Sequence, residues 1–384
     1  LTVVVDPRVL RESTPAVIGV LVHRGADFAA AEDAVQEALV QATSTWSEGA
    51  PTDPKGWLVT VAWRKFLDAR RSEQARRDRE DRLAAQPGPG SVGGVDDTLQ
   101  LFFLCAHPSL GPAAAVALTL RAVGGLTTRQ IAQAYLVPDK TMAQRISRAK
   151  NTVRNVRFDA PGDLATVRRV LYLVFNEGYS GDIDLAAEAI RLTRQLATLS
   201  EDEETAGLLA LMLLHHARRS ARTGPDGQLI PLAEQDRGRW DTTLIAEGVR
   251  ILQAALARDR LGEFQAQAAI AALHADATRV EETDWVQIVE WYDELSALTD
   301  SPVVRLNRAV AVGEVDGPAA GLAALAEVDS AVPRHTAAAA HMHFRAGDLR
   351  RAADLYAAAA EQASSIAERH HLALQAARIR AARS

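Results

Sequence analysis

Residues 126–150 read LTTRQIAQAYLVPDKTMAQRISRAK, two short helical patterns joined by a tight apolar turn, and the fold of the rest of the chain is read outward from them. The first helix is expected to start at Thr127 or Thr128, whose hydroxyls can cap free backbone N–H groups, and to turn Ile131, Ala132 and Tyr135 inward. Leu136 and Val137 form the turn. Pro138 suits a first helical position and Asp139 puts negative charge in the first turn, so a second helix starts there and runs to about Val153. Met142, Ile146, Ala149 and Val153 share one face of that helix, leaving Lys140, Thr141, Gln144, Arg145, Arg148 and Lys150 on the outer side. A helix-turn-helix with a cationic, amide-bearing outer face is suited to enter a DNA major groove.

The string TMAQRISRAK resembles the recognition helix of sigma factor region 4, in which Thr, an apolar residue, a small or polar residue, Arg, an apolar residue and Arg-Ala-basic follow in this order. The likeness covers both helices and the turn. It implies that Lys140, Thr141, Gln144, Arg145, Arg148 and Lys150 contact the minus-35 promoter element. Upstream, DDTLQLFFLCAHPSL and GPAAAVALTLRAVGG supply two apolar helices to pack beneath the motif, with Cys105 as a small buried hydrophobe.

Before those helices, AAQPGPGSVGGVDD has four Gly and two Pro and almost no large apolar side chain, so it reads as a linker over residues 83–96. Residues 12–46 look like two helices. The second places Val35, Leu39, Ala42 and Trp46 on one stripe and leaves Glu32, Asp33, Gln36 and Glu37 on other faces. Its string AEDAVQEAL resembles sigma region 2.2, the acidic helix that docks on the clamp helices of the RNA polymerase largest subunit, which implies polymerase contacts for Asp33, Gln36 and Glu37.

SEGAPTDPKG at 47–56 reads as a turn-rich loop, and the helix after it interleaves aromatic and basic side chains, with Trp57, Val61 and Phe66 expected inside. Cationic and aromatic groups together can hold unstacked bases along a phosphate backbone. PKGWLVTVA resembles the entry to sigma regions 2.3 and 2.4, implying that Lys55, Trp57, Arg64, Lys65, Arg70 and Arg71 face the minus-10 element, with Arg76 and Arg77 extending the positive run.

Charge follows this division. Of 43 Lys and Arg and 49 Asp and Glu, 20 and 16 fall at or before Phe158, so a front part of +4 precedes a remainder of −10. All four lysines, Lys55, Lys65, Lys140 and Lys150, lie in the front part, where a flexible point charge suits phosphate.

Beyond Arg157, helical apolar periods alternate with Gly, Pro and Asp breaks to the end of the chain, and an all-α fold is the economical reading. Ile288, Tyr292 and Leu295 recur 32 residues on as Ala320, Ala324 and Glu327 and again as Ala352, Tyr356 and Ala359; Asp316 recurs as Asp348. Such a period belongs to helix-pair repeats of the tetratricopeptide kind. The set LYLVFNEGYS, HHARR, LAEQDRGRW and AIAALHAD resembles the C-terminal extension of one extracytoplasmic-function sigma subgroup. The expected domains are 1–82 (region 2), 83–96 (linker), 97–157 (region 4) and 158–384 (a helical regulatory extension with tetratricopeptide-like repeats).

An enzyme is not expected. Glu177, His215, His216, Asp236 and His274 are residue types that a metal or acid–base site uses, but adjacent histidines on a helix point about 100 degrees apart and cannot chelate one ion. HExxH, CxxC, GxSxG and phosphate-loop patterns do not occur. Asn176, Glu177 and Tyr179 are expected to fix the junction to the extension. The single cysteine excludes a disulfide framework and suggests a cytoplasmic protein, LTVVVD lacks the basic lead of a signal peptide, and no apolar run reaches bilayer length. No metal or cofactor is expected. The resemblance implies core RNA polymerase (clamp helices and flap) and promoter DNA as partners, with a protein or small-molecule effector acting on the extension. The competing reading is a helix-turn-helix regulator with a sensor domain that never touches polymerase, yet such a regulator has no use for an acidic docking helix followed by an aromatic-basic one.

Overall fold

The computed structural model describes residues 7–46, 51–77, 98–135, 137–158, 162–177, 179–180, 183–224, 228–363 and 365–382. These form two compact units, Leu1–Ser200 and Glu201–Ser384. The linker expected at 83–96 and the first part of the loop at 47–50 lie outside the described residues.

The first unit opens with α1 (Pro7–His23), α2 (Phe28–Thr45) and α3 (Pro54–Arg77), which pack on one another. Gly25, at φ +92°, turns the chain between the first two, and the Asp27 carboxylate accepts from the Ala30 N–H at 3.1 Å to cap α2. The third helix starts at Pro54, where the missing N–H costs nothing, and the Asp53 carboxylate accepts from the Gly56 N–H at 2.9 Å. Lys55 and Gly56, read as loop, are therefore helical. The buried stripe of α3 is Leu58, Ala62 and Phe66, spaced i, i+4, i+8, rather than the expected Trp57, Val61 and Phe66; Trp57 and Val61 sit one residue earlier and are half-buried on its flank.

Next come α4 (Thr98–Cys105) and α5 (Pro112–Ala122), whose Leu101, Phe102, Leu118 and Leu120 are buried. Cys105 is fully buried, and that burial, reinforced by the nearby Glu32 charge, pushes its thiol well above the ordinary thiol range and keeps it inert. The helix-turn-helix consists of α6 (Thr128–Ala134) and α7 (Asp139–Val153). Thr127 and Gln130 close a reciprocal capping box, a feature worth about 1 kcal/mol. Pro138 is the N-cap of α7 and not its first helical residue, since its ψ of 143° is still extended. Met142, Ile146, Ala149 and Val153 are buried as their spacing requires. Two more helices complete the unit, α8 (Leu164–Glu177) and α9 (Leu185–Ser200), joined by the two-residue antiparallel strands β1 (Tyr179–Ser180) and β2 (Ile183–Asp184). The apolar face of α8 (Val167, Val170, Leu171, Val174) packs on α4 and α5, so the compact unit runs past Arg157.

The second unit is built on α10 (Glu203–Ala217), whose residues Leu208 to Leu214 are all buried because α11 (Thr242–Leu256) and α12 (Glu263–Asp276) cover it from two sides. Gly207 permits the approach of α12: a Cβ there would lie 2.8 Å from the Gln265 backbone nitrogen. From α12 each helix packs on the next through α13 (Trp285–Leu298), α14 (Pro302–Val315), α15 (Pro318–Ala326), α16 (His335–Arg345), α17 (Leu349–Gln362) and α18 (Ile366–Ala381). Successive cores follow the chain, from Ile270, Ile288 and Leu295 to Leu306, Leu325 and Val332, then to Tyr356, Leu372 and Ile379, as in a helical repeat. The middle copy is out of register. Gly321 and Leu325 are buried there, with Ala320 and Ala324 half-buried and Glu327 exposed at a helix end. Asp348 caps α17 through the Arg351 N–H, whereas Asp316 ends α14 and Gly317, at φ +91°, takes the cap position of α15, moving every inward residue on by one.

Candidate nucleic-acid interface

On α7 the side opposite the buried stripe is open. Lys140, Thr141, Gln144 and Arg148 are exposed, and Arg145 is half-buried near Tyr135. Burial, and then the charge of Glu177, drives the Tyr135 phenol above its ordinary range, while Arg145 opposes the shift. Lys150 departs from the expected outer face: it is only 8% exposed. On a helix advancing about 100° per residue it falls about 80° from Met142, on the edge of the buried stripe, and α2 covers that edge. Its Nζ lies 2.6 Å from Asp33 Oδ1 and also pairs with the Glu32 carboxylate.

That carboxylate is the centre of a buried ion cluster. Glu32 is fully buried, and Arg121 Nε of α5 lies 2.8 Å from its Oε1. Arg121 also donates to the Leu126 carbonyl at 3.3 Å, tying the cluster to the start of the helix-turn-helix. Two cations neutralise one desolvated carboxylate, which is the condition under which burying a charge is tolerated. Glu32 and Gln36 therefore do not lie on the outer faces expected for them; both flank the Val35/Leu39 stripe, and packing on that side closes over them.

Exposed on α2 are a strip at helical spacing, Asp33, Glu37, Val40, Gln41 and Ser44, and, at the C-terminal end, Thr43 and Thr45. The side chains of Asp33 and Glu37 are 68% and 65% exposed. Sequence reasoning found the two acids but missed Val40, an apolar residue left open in the same strip, because a lone exposed Val carries no signal until the rest of the helix is seen to be covered.

Helix α3 lies alongside, and Lys65 Nζ is 3.7 Å from Glu37. Lys55, Arg64, Arg70 and Arg71 are exposed, with Arg71 paired to Asp68 at 3.1 Å; Trp57 and Lys65 are half-buried. Aromatic rings line this region: Trp57 meets Trp46 edge-on at 5.1 Å, Trp63 lies 5.1 Å from Phe66, and Arg24 and Arg70 sit over Trp63 and Phe66 at 5.6 and 5.8 Å. The side chains of Arg76 and Arg77 lie outside the described residues.

Of the titratable residues noted in the extension, His215 and His274 come close enough for their charges to interact, with Arg218 beside both. Asn176 and Glu177 are exposed at the end of α8, and the Tyr179 side chain lies outside the described residues. Asp236 accepts from the Gly238 N–H in a short turn. His215 and His274 are held neutral, pushed down to about 3 and about 4 by burial first and by nearby arginines second. Arg237 donates to the His274 and Ala277 carbonyls at 2.5 and 2.6 Å, capping the C-terminus of α12, and stacks 4.7 Å from the Trp240 ring centre. Among the described residues no three His, Cys, Asp or Glu are grouped so as to hold a metal ion, and no helix is long and apolar enough to cross a membrane.

Comparison with known proteins gives three family matches: sigma-70 region 2 over residues 9–76, sigma-70 region 4 over residues 103–153, and a family of unknown function (DUF6596) over residues 163–256. An uncharacterised protein of Rhizobium meliloti, R00370, is 40% identical over 343 residues, covering 82% of this chain and 81% of that protein. A probable ECF RNA polymerase sigma factor, SigI, of Mycobacterium tuberculosis is 32% identical over 173 residues, covering 43% of this chain and 59% of that protein. No solved structure matches.

Proposed function

The chain belongs to the extracytoplasmic-function class of the sigma-70 family of RNA polymerase sigma factors, and from that premise we propose how its residues divide the work of promoter recognition. Asp33 and Glu37 on the exposed strip of α2 dock on the clamp helices of core polymerase, and α3 melts and reads the minus-10 element with Lys55, Trp57, Arg64, Lys65, Arg70 and Arg71. The outer face of α7 reads the minus-35 element with Lys140, Thr141, Gln144, Arg145 and Arg148, and region 4 meets the flap. The work is done in the cytoplasm, where core polymerase is. The helical extension regulates the factor through an effector of its own.

The observation that carries this reading is the pairing of an acidic exposed strip with an aromatic-basic helix lying against it, since Glu37 and Lys65 approach to 3.7 Å. Charge complementarity between an acidic helix and a basic partner steers encounter and fixes register, and aromatic faces beside guanidinium groups stabilise unstacked bases. Lys150 is left out of the DNA set because its ammonium is spent on Glu32 and Asp33.

Reversing both docking acids, Asp33→Arg with Glu37→Arg, is expected to abolish co-purification with core polymerase while leaving helix content unchanged, because neither side chain contributes to the buried stripe. Retained binding with unchanged circular dichroism would reject the docking assignment.

A further inference from the structure

We propose that the extension carries a binding site for a phosphorylated small molecule, in which Arg218, Arg222 and Arg237 gather around the indole of Trp240 to hold the phosphate. The site deepens, and for its regulatory meaning rests on, the reading that the extension takes an effector of its own.

The fold brings these residues together from two stretches of chain. Arg218 caps the C-terminus of α10, and the single turn Arg219–Ala221 delivers Arg222 beside it. Residues 237–240 return to the same place, where the Asp241 N–H donates to the Ala217 carbonyl at 2.9 Å and the Ser220 hydroxyl donates to the Arg239 carbonyl at 2.6 Å. The Arg218 and Arg237 guanidiniums both lie over the Trp240 ring, 5.9 and 4.7 Å from its centre. His215 and His274 adjoin the cluster uncharged, and His274 meets Trp285 edge-on at 5.2 Å. Arg222 is exposed and Arg218 and Arg237 are half-buried, so the cluster opens to solvent.

Cations gathered this closely oppose folding. Burial first, and then the charges of Arg222 and Arg237, push the Arg218 guanidinium down to about 10. No described carboxylate pairs with Arg218, Arg222 or Arg237. Glu281 and Glu282 act on Arg237 from the turn after α12, but both are exposed, and Glu282 is held by Arg279 at 2.8 Å. The C-termini of α10 and α12 each offer about half a negative charge, which leaves the three guanidiniums an excess of about two. The faces of Trp240 attract guanidinium but supply no acceptor for its N–H groups. Two buried donors have no hydrogen-bond partner among the described residues: Nε1 of Trp240, a residue only 5% exposed, and Nη2 of Arg237, whose Nη1 alone caps α12. The matching ligand is a dianion whose bound end offers acceptors and no donors. A phosphate monoester carries a charge of about −1.5 to −2 near pH 7 on three acceptor oxygens, and guanidinium forks bind such a group through paired N–H bonds; a carboxylate carries a single charge.

The test uses the full chain at constant ionic strength, with thermal melting and isothermal titration in inorganic phosphate, glucose 6-phosphate, succinate and chloride. Phosphate and the ester are expected to raise the melting temperature where succinate and chloride do not, and the ester to bind in a one-to-one ratio. Arg218→Gln and Arg222→Gln are each expected to weaken ester binding on the order of tenfold, as loss of one charge-assisted contact does. Arg222→Gln is also expected to leave the ligand-free chain melting at the same temperature or higher, because it removes repulsion and no described bond. The proposal is overturned if neither phosphate nor the ester stabilises the chain beyond chloride, or if succinate binds as tightly as the ester. It is equally overturned if both variants keep wild-type affinity, which would place the phosphate on the DNA-facing arginines. Run-off transcription with and without the ester reads the effector role separately: binding that depends on Arg218 and Arg222, with transcript levels indifferent to the ester, would keep the site and reject the regulatory reading.

Discussion

Lys140 and Lys150 stand ten positions apart on one helix and have opposite fates, one exposed toward solvent and the other closed under α2. The difference matters for DNA binding, since only an ammonium free to reach phosphate can release counterions. In band shifts on matched and mutated minus-35 duplexes, Lys140→Ala is expected to weaken all sequences alike and to lower the salt slope by about 1, as the loss of one phosphate contact does. Gln144→Ala is expected to cost about 1–3 kcal/mol on the matched site alone and to relax preference at one base pair. Two identical, sequence-blind losses would refute the base-reading role of Gln144. The exposed set was legible in the sequence because it lies opposite the Met142/Ile146 stripe. Lys150 was not, because its partner carboxylate is 117 residues away and its own position is ambiguous by less than one helical step.

Helix boundaries were legible wherever a side chain closes the end locally. Thr127 and Gln130 fix the start of α6, and Pro54 with Asp53 fixes α3, although the latter was read as loop because Pro, Lys and Gly in succession imitate a turn. Helix faces were legible only where one side is covered. On α2 nine residues are buried, far more than the single stripe that periodicity predicted, because the helix is packed on more than one side. At α15 a one-residue change in the cap moved the whole buried set, something a repeat period cannot reveal.

The extension poses the same question at its start. Helix α8 places Val167, Val170, Leu171 and Val174 on α4 and α5. Burying each such side chain contributes about 1.5–3 kcal/mol, and four together rival the whole stability of a small domain, about 5–15 kcal/mol. Cutting after Phe158 is therefore expected to leave a region 4 that melts far lower or aggregates, whereas cutting after Ser200 leaves a cooperatively melting first unit. Equal melting temperatures by circular dichroism for the two truncations would show that α8 and α9 are merely appended.

At the scale of the whole chain, a basic front part of +4 and an acidic remainder of −10 are joined in one polypeptide, with the DNA-facing residues confined to the former. The fold class was legible throughout, because helical periodicity and breakers mark nearly every element. The Glu32 ion cluster was not, since nothing in the spacing of Glu32, Arg121 and Lys150 brings them together before the first unit is assembled. The central claim is that the chain directs core polymerase to promoters and does not act on DNA by itself. Run-off transcription with purified core polymerase, on a promoter recovered from cells overexpressing the chain, tests this most directly. The account predicts a discrete transcript that requires the full chain and both promoter elements and that disappears with Asp33→Arg/Glu37→Arg. The contrary result is a chain that shifts the same DNA unaided while core polymerase gives no promoter-dependent transcript in its presence.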